Sequence, residues 1–294
     1  MPLTHTRSFR VRHYECDAYG HLNNTNYLRY MQETAFDASA AAGYDHAAYE
    51  EMGHIWLVRE NEIEYLQPLR HGDTVEVKTW VLDFRRVRSR RVYEFRLAGS
   101  EQLAARASTD WVFLDSATHQ PVKIPEELIE AYQPEISPKQ NSSSERFPKT
   151  PPQPKGAFTI RRQIAWSDVD PVMHVNNAMY LEYIEDAGVQ VSESFSWPMS
   201  RYLEAGFCWF ASRTRILHLI QTRFGEDLEI TTFLSNIKRA SCIRHYIIQR
   251  AEDKELIARA QILWAFTTIA TGRPTRIPSA LLEDMAANIS KENS

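Results

Sequence analysis

Three features are scarce in this 294-residue chain, and each scarcity excludes a class of protein. Its three cysteines, Cys16, Cys208 and Cys242, are too few and too scattered for a disulfide framework or a cysteine-rich zinc site. No apolar run approaches the roughly 20 residues that a membrane-spanning helix needs. Lys and Arg number 34 against 38 for Asp and Glu, so the net charge of −4 lacks the basic excess of a general nucleic-acid binder.

The rest of the composition, 43% hydrophobic and 24% charged, is typical of a globular protein. The segment from Met1 to Tyr14 has basic residues but no apolar core, so we expect no secretory signal and a cytoplasmic location away from membranes. We also expect neither a metal nor a cofactor. A chain of this length is about twice a typical domain, which favours two domains.

The chain is an internal repeat with a constant offset. The residues that carry it are Asp17, His21, Asn23 and Asn24 in the first half and Asp170, His174, Asn176 and Asn177 in the second. The offset is 170 − 17 = 153, and it also relates Trp56 to Trp209 and Pro125 to Pro278. A register held without a gap predicts two copies of one fold. We therefore expect domains over 1–132 and 157–294, joined by a Pro- and Ser-rich linker over 133–156.

Each half is predicted to combine one long helix with an antiparallel sheet, which is an α+β architecture. Apolar and small residues at spacings of three and four predict a helix from Tyr27 to Ala38 that stops at Gly43. Alternating residues predict strands over 9–13, 75–81, 93–97 and 105–113, and an opening strand over 160–166 in the second half. Short helices are expected over 47–52 and 201–205.

The repeated clusters resemble a known family. The string DAYGHLNN from Asp17 to Asn24 resembles the signature of hot-dog-fold acyl thioesterases related to 4-hydroxybenzoyl-CoA thioesterase. The second copy, WSDVDPVMHVNN from Trp166 to Asn177, is more similar to the acyl-ACP thioesterase branch of that superfamily. Both copies depart from this branch, because Tyr19 and Val172 stand where it usually carries Asn.

The resemblance covers nearly all of both halves and implies a fold and an assembly. The implied fold is α+β, with two tandem hot-dog domains, each a long central helix wrapped by an antiparallel sheet. The implied assembly is an intramolecular pseudo-dimer with a continuous sheet. This leaves open a further homo-oligomerisation of the pseudo-dimer.

The resemblance implies a hydrolase that cleaves acyl-CoA thioesters, with acyl-ACP thioesters as the second candidate, at one or both sites where the domains meet. Hydrolysis needs an activated water or a carboxylate nucleophile, together with donors for the oxyanion. A strong general acid matters less, because a thiol with a pKa of about 8.5 leaves readily. We predict Asp17 and Asp170 as bases or nucleophiles and the N–H groups of the following helix as oxyanion donors. The candidate catalytic residues are Asp17, His21, Asn23, Asp170, His174 and Asn176.

Substrate binding is predicted at two groups of residues. Beside the aspartates lie Gly20, Asn24 and Asn177; Gly20 would let a substrate approach the backbone, whereas Met173 in the second copy would hinder it. The second group is basic and comprises Arg86, Arg88, Arg90, Arg91 and Arg239. Guanidinium groups suit the phosphates of CoA or the acidic face of an acyl carrier protein. A solvated hairpin whose charges discourage edge pairing explains the arginines equally well.

Several alternatives stay open at the level of the sequence. A hot-dog hydratase or dehydratase would act on the same thioesters, but no His-Phe-Pro-type run is present. A non-catalytic acyl-thioester-binding module is the third candidate, although Asp and His are intact in both copies. Within the clusters, one Asn of each pair is equally explained as a helix N-cap.

Overall fold

The structure, a computed structural model, describes residues 3–132 and 146–291 and divides into two compact units, Met1–Glu145 and Arg146–Ser294. The first unit contains β1 (Thr4–Arg10), α1 (Asn24–Ala41), α2 (His46–Glu51), β2 (His54–Tyr65), β3 (Thr74–Phe84), β4 (Arg88–Leu97), β5 (Leu103–Asp115) and α3 (Glu126–Tyr132). A 3-10 turn, His13–Glu15, follows β1. The five strands lie in the order β1-β3-β4-β5-β2, and each neighbouring pair is antiparallel.

The second unit repeats this plan. It contains β6 (Phe158–Gln163), α4 (Met179–Ser194), α5 (Met199–Ala205), β7 (Phe207–His218), β8 (Asp227–Ser235), β9 (Ser241–Arg250), β10 (Leu256–Thr268) and α6 (Ser279–Asp284). Its 3-10 turns are Trp166–Asp168 and Ala286–Asn288. The strand order β6-β8-β9-β10-β7 is the order of the first unit. The predicted α+β architecture with one long helix per half is therefore confirmed.

The long helix α1 forms because one of its faces is apolar or small along its whole length. Its predicted core residues Tyr27, Met31 and Ala38 are all buried, and the helix packs against β1 and β3. The ring of Tyr27 lies 5.3 Å from that of Phe95 on β4. Gly43 follows the helix with a φ of 89°, a left-handed conformation that suits glycine. In the part of the chain that the structure describes, no helix is long and apolar enough to cross a membrane.

Two strand predictions differ from the structure. The first strand ends at Arg10, before His13, because the Glu15 carboxylate accepts a hydrogen bond of 2.7 Å from the Arg12 N–H and closes a 3-10 turn there. The corresponding β6 ends at Gln163, before Trp166. The sequence also gave no indication of β2, since its first seven residues are all half-buried and show no period of two.

The predicted linker over 133–156 lies partly outside the described residues, which omit 133–145. Its remaining part packs on the second unit, where the guanidinium of Arg215 lies 5.4 Å from the ring centroid of Phe147. Gly156 donates its N–H to the Ala287 carbonyl at 3.0 Å, and a Cβ at this glycine would lie 2.5 Å from the same oxygen. Only glycine allows this approach. The boundaries of the linker stay a prediction.

The buried aromatic rings against α1 predict a large stability difference between two phenylalanines. Phe95 is fully buried, whereas Phe36 on α1 is 53% exposed. We expect Phe95→Ala to lower the free energy of unfolding by about 3–5 kcal/mol, because the cavity adds to the lost apolar burial. Phe36→Ala should change it by at most about 0.5 kcal/mol. Urea unfolding monitored by fluorescence measures both, and equal losses would contradict this assignment of the core.

Candidate active site

The segment between the first 3-10 turn and α1 is a tight loop organised by Asp17. Its Oδ1 accepts hydrogen bonds from the backbone N–H groups of Tyr19 (2.9 Å) and His21 (3.0 Å). The Asp17 N–H in turn donates to the His21 carbonyl at 2.7 Å, and Cys16 forms an isolated β-bridge with Leu22. One carboxylate oxygen therefore fixes the loop. Among the described residues, no hydrogen bond reaches the other oxygen, Oδ2.

Gly20 lies at the tip of this loop for conformational reasons. Its φ is 75°, and a Cβ added there would meet no heavy atom within 4 Å. The glycine is therefore explained by the left-handed turn, and no close packing requires it. Met173, the matching residue, takes the same conformation with a φ of 63° at a cost of about 1–2 kcal/mol. The second loop thus keeps the backbone shape of the first and adds an exposed side chain at its tip.

The second loop has the same hydrogen-bond pattern around Asp170. Its Oδ1 accepts from the Val172 N–H at 3.1 Å, and its own N–H donates to the His174 carbonyl at 2.9 Å. The Met173 N–H donates to the Asp170 carbonyl at 2.8 Å. Burial raises the pKa of Asp170 above its ordinary value, and the N–H groups of Val172 and His174 oppose this only in part. Asp170 is a stronger base than a solvated aspartate.

The surroundings of His21, four residues after Asp17, favour its uncharged form. Burial lowers its pKa, the nearby Arg70 lowers it further, and Asp17 opposes both. The backbones of His21 and Arg70 form an isolated antiparallel bridge, so the loop is held beside the segment that leads into β3. A neutral imidazole can accept a proton or orient a water beside Asp17. His174 occupies the matching place in the second loop and is partly exposed.

The Asn pairs cap the central helices. Asn23 Oδ1 accepts from the Thr25 N–H at 2.9 Å, and the Asn23 carbonyl accepts from the Asn26 N–H at 3.0 Å. Asn176 Oδ1 likewise accepts from the Ala178 N–H at 3.0 Å. The backbone N–H groups of Thr25 and Asn26 are engaged in these bonds. These two N–H groups are therefore not available as the oxyanion donors expected at the start of this helix. Asn24 is the first residue of α1.

In the second unit the long helix begins later relative to the repeat. Asn177 matches Asn24, but it lies in a turn, two residues before α4 begins at Met179. The Met179 N–H donates to the Asn176 carbonyl at 2.9 Å, which repeats the first turn of α1. Both Asn24 and Asn177 are partly exposed beside their loops, as a substrate-binding role requires.

Two buried carboxylates were missed from the sequence. Glu15 and Asp168 lie two residues before the loop aspartates and are only 7% and 3% exposed. The Tyr30 hydroxyl donates to Glu15 Oε2 at 2.8 Å, and the Tyr183 hydroxyl donates to Asp168 Oδ2 at 2.7 Å. Both pairs keep the repeat offset, since 168 − 15 and 183 − 30 are each 153. The recurrence of an acidic residue and a tyrosine at matching positions of the two halves was the sequence signal that could have identified these pairs.

The five arginines of the predicted basic group lie in different surroundings, and those on β4 divide between its two faces. Arg86 and Arg88 are exposed, as is Arg239 in the second unit. Arg90 lies 3.8 Å from Glu62 and 3.7 Å from Asp110, so carboxylates partly neutralise it.

Arg91 points to the opposite face, because side chains alternate along a strand. It is 6% exposed, and its guanidinium lies 5.4 Å from the Tyr132 ring centroid. Arg91 therefore does not belong to the expected phosphate-binding surface. For the exposed arginines, phosphate binding stays a prediction.

The cysteine beside Asp17 is a protonated thiol. Burial raises the pKa of Cys16, and the charge of Asp17 raises it further. A nucleophilic cysteine needs the opposite shift. Within residues 3–132 and 146–291, no group of three or more His, Cys, Asp or Glu side chains could hold a metal ion.

The cap geometry predicts that two functions of Asn23 can be separated. Asn23→Asp keeps the oxygen that caps Thr25 but removes the Nδ2 donor, whereas Asn23→Ala removes both. We expect Asn23→Ala to lower the free energy of unfolding by about 1 kcal/mol and Asn23→Asp to leave it unchanged. Thiol release from an acyl thioester should fall about tenfold or more in both variants if the amide binds the oxyanion. Full activity of Asn23→Asp would reduce Asn23 to a helix cap.

Comparisons with known proteins find similar chains among thioesterases. The chloroplastic palmitoyl-acyl carrier protein thioesterase of Arabidopsis thaliana is 27% identical over 284 residues, which cover 92% of this chain and 66% of the relative. That of Cuphea hookeriana is 28% identical over 193 residues, covering 62% of this chain and 46% of the relative. The chain thus spans about half to two thirds of the length of these curated relatives.

The fold and the family follow from two further matches. The structure of the 12:0-ACP thioesterase from Umbellularia californica superposes with a TM-score of 0.73 at 19% identity, covering 90% of this chain and 95% of the other, which shows a shared tandem hot-dog fold. The family model of the thioesterase-like superfamily matches twice, at residues 11–132 and 164–285. These matches are offset by 164 − 11 = 153 residues, as the repeat predicts. The chain belongs to the thioesterase-like superfamily.

Proposed function

We propose that the protein hydrolyses acyl thioesters to a free carboxylic acid and a thiol. The observation that carries the proposal is the duplicated loop, in which backbone N–H groups hold an aspartate next to the start of a buried helix. Asp and His recur together at both loops with the offset of the repeat. The names of the curated relatives, which are acyl carrier protein thioesterases, support the same reaction class.

The geometry supports a general-base reaction at Asp17. Oδ1 is held by Tyr19 and His21, so Oδ2 is the oxygen that can take a proton from a water molecule. The water oxygen then attacks the thioester carbonyl carbon and forms a tetrahedral oxyanion. The side-chain amides of Asn23 and Asn24 are the candidate oxyanion donors, because the cap engages the next two backbone amides. Collapse of the intermediate breaks the C–S bond and releases the thiolate, which is protonated afterwards.

We propose acyl carrier protein as the carrier of the acyl group, with CoA as the second candidate. The relatives' names support the first choice, and the exposed Arg86, Arg88 and Arg239 supply cations for an acidic protein surface or for CoA phosphates. We keep as proposals the cytoplasmic location and the division into domains 1–132 and 157–294 with a linker over 133–156.

Release of free thiol from a panel of acyl carrier protein and CoA thioesters of several chain lengths tests the proposal. We expect turnover by the wild type and a loss of at least about 100-fold in the double variant Asp17→Asn with Asp170→Asn. Asp17→Asn alone should reduce turnover more than Asp170→Asn, because the exposed Met173 side chain stands at the tip of the second loop. Tight binding without thiol release from any substrate would instead favour a binding module.

The raised pKa of Asp170 predicts a distinct pH dependence for the second site. In the Asp17→Asn variant Asp170 is the remaining loop aspartate, and a carboxylate base works in its ionised form. Because burial raises the pKa of Asp170, its ionised fraction falls at a higher pH than that of an ordinary aspartate. The midpoint of the fall in kcat at low pH should therefore lie above 3.8, the ordinary pKa of an aspartate. A midpoint at or below that pH would exclude Asp170 as the base.

A further inference from the structure

The buried carboxylate before each loop is bonded to the central helix by its side chain. In the first unit, Glu15 Oε2 accepts from the Tyr30 hydroxyl at 2.8 Å and from the Arg12 N–H at 2.7 Å. In the second, Asp168 Oδ2 accepts from the Tyr183 hydroxyl at 2.7 Å and from the Ala165 N–H at 2.9 Å. Burial, followed by the bond to the carboxylate, raises the pKa of each tyrosine, so both hydroxyls remain donors. An O–H bond to a buried carboxylate is among the stronger hydrogen bonds in proteins.

Glu15 also closes the base of the first loop through its backbone carbonyl. The Glu15 carbonyl accepts from the Asn23 N–H at 2.9 Å and from Asn26 Nδ2 at 2.9 Å. Asn26 and Tyr30 are four residues apart and lie on one face of α1. Glu15 therefore holds one end of the loop to two successive turns of the helix. Asp17 is two residues away.

The second unit has the same two carboxylate bonds but lacks one bond to the backbone carbonyl. The Asp168 carbonyl accepts from the Asn176 N–H at 2.9 Å, but Met179 replaces Asn26 and has no side-chain donor. Arg162 compensates in part: its guanidinium lies 4.2 Å from the Tyr183 ring centroid and 3.8 Å from Asp168 Oδ2. The Tyr183 bond thus carries a larger share of the attachment than the Tyr30 bond does.

We infer that Glu15 with Tyr30, and Asp168 with Tyr183, are positioning pairs that hold the catalytic aspartates at the start of the central helices. The inference rests on the proposed thioester hydrolysis and names residues that act through Asp17 and Asp170. A shift of about 1 Å in a catalytic group is enough to cost about 100-fold in rate. Removing the tyrosine hydroxyl leaves a buried carboxylate with one bond fewer, and the loop relaxes to hydrate it.

Single-site backgrounds test each pair separately. Tyr30→Phe is measured in Asp170→Asn protein and Tyr183→Phe in Asp17→Asn protein, with kcat and KM from thiol release. We expect kcat to fall about tenfold for Tyr30→Phe and further for Tyr183→Phe, while KM changes less than about twofold. Glu15→Gln should resemble Tyr30→Phe. Unchanged kcat in both tyrosine variants would overturn the inference.

Two tyrosines away from the loops, Tyr49 half-buried and Tyr202 buried, serve as controls. Tyr49 lies on α2 and bonds Ser39 at 3.1 Å, and Tyr202 lies on α5 and accepts from Trp209 at 3.3 Å. Their Phe variants also lose a hydroxyl hydrogen bond but should leave kcat unchanged. If the controls lower kcat as much as Tyr30→Phe and Tyr183→Phe do, the effect is general destabilisation and the inference fails.

Hydrogen exchange separates this inference from the proposed function. The N–H groups of Tyr19 and His21 are bonded to Asp17, so their exchange reports the order of the loop without any substrate. We expect Tyr30→Phe to speed exchange over 17–23 at least about fivefold, and Tyr49→Phe to leave it unchanged. Faster exchange in a protein that releases no thiol would refute the proposed hydrolysis alone. Unchanged exchange would refute the positioning role.

Discussion

Burial of one long helix against an antiparallel sheet is the constraint on which each unit depends. The helix α1 can pack closely because Thr34, Ala35 and Ala38 are small and fully covered. Once the helix is fixed, its first turn is fixed too, and the loop before it can be bonded to that turn. The candidate site therefore takes its precision from the core. The loop holds its Asp, His and Asn in a defined arrangement because it is bonded to a rigid helix.

Duplication has kept the backbone of the site while its side chains have diverged. The T-shaped ring pair of His13 and His71, with centroids 5.7 Å apart, is replaced in the second unit by Trp166 and Phe224 at 5.5 Å. Both members of the second pair are more than half exposed. The two loops thus share one geometry but lie in different surroundings, polar in the first unit and apolar in the second.

The same divergence extends to the contacts beneath the loops. Phe9 stacks on Tyr30 with a centroid distance of 4.1 Å, whereas Arg162 covers the matching Tyr183. A stacked ring shields the tyrosine and its carboxylate from water, while a guanidinium adds charge stabilisation to the same pair. Two different interactions therefore support one hydrogen bond.

The sequence predicted the elements whose patterns are local and missed those that depend on tertiary contacts. The spacing of Tyr27, Met31 and Ala38 was sufficient for α1, and the constant offset was sufficient for two copies of one fold. The strand β2 escaped because most of its residues are half-buried, so no alternation shows. Glu15 and Asp168 were missed for another reason. An acidic residue is expected to be exposed unless it has a buried partner, and here the partner is a tyrosine 15 residues further along the chain.

The alternation along β4 has a consequence for how this chain tolerates change in length. Arg90 and Arg91 are neighbours, yet one meets carboxylates and solvent while the other lies in the interior. Inserting one residue between the hairpin turn and Arg88 would exchange the two faces of the strand. An arginine would then leave Tyr132, and Arg90 would enter the core without its acidic partners. Substitutions of the exposed arginines are a mild change by comparison with such a shift of register.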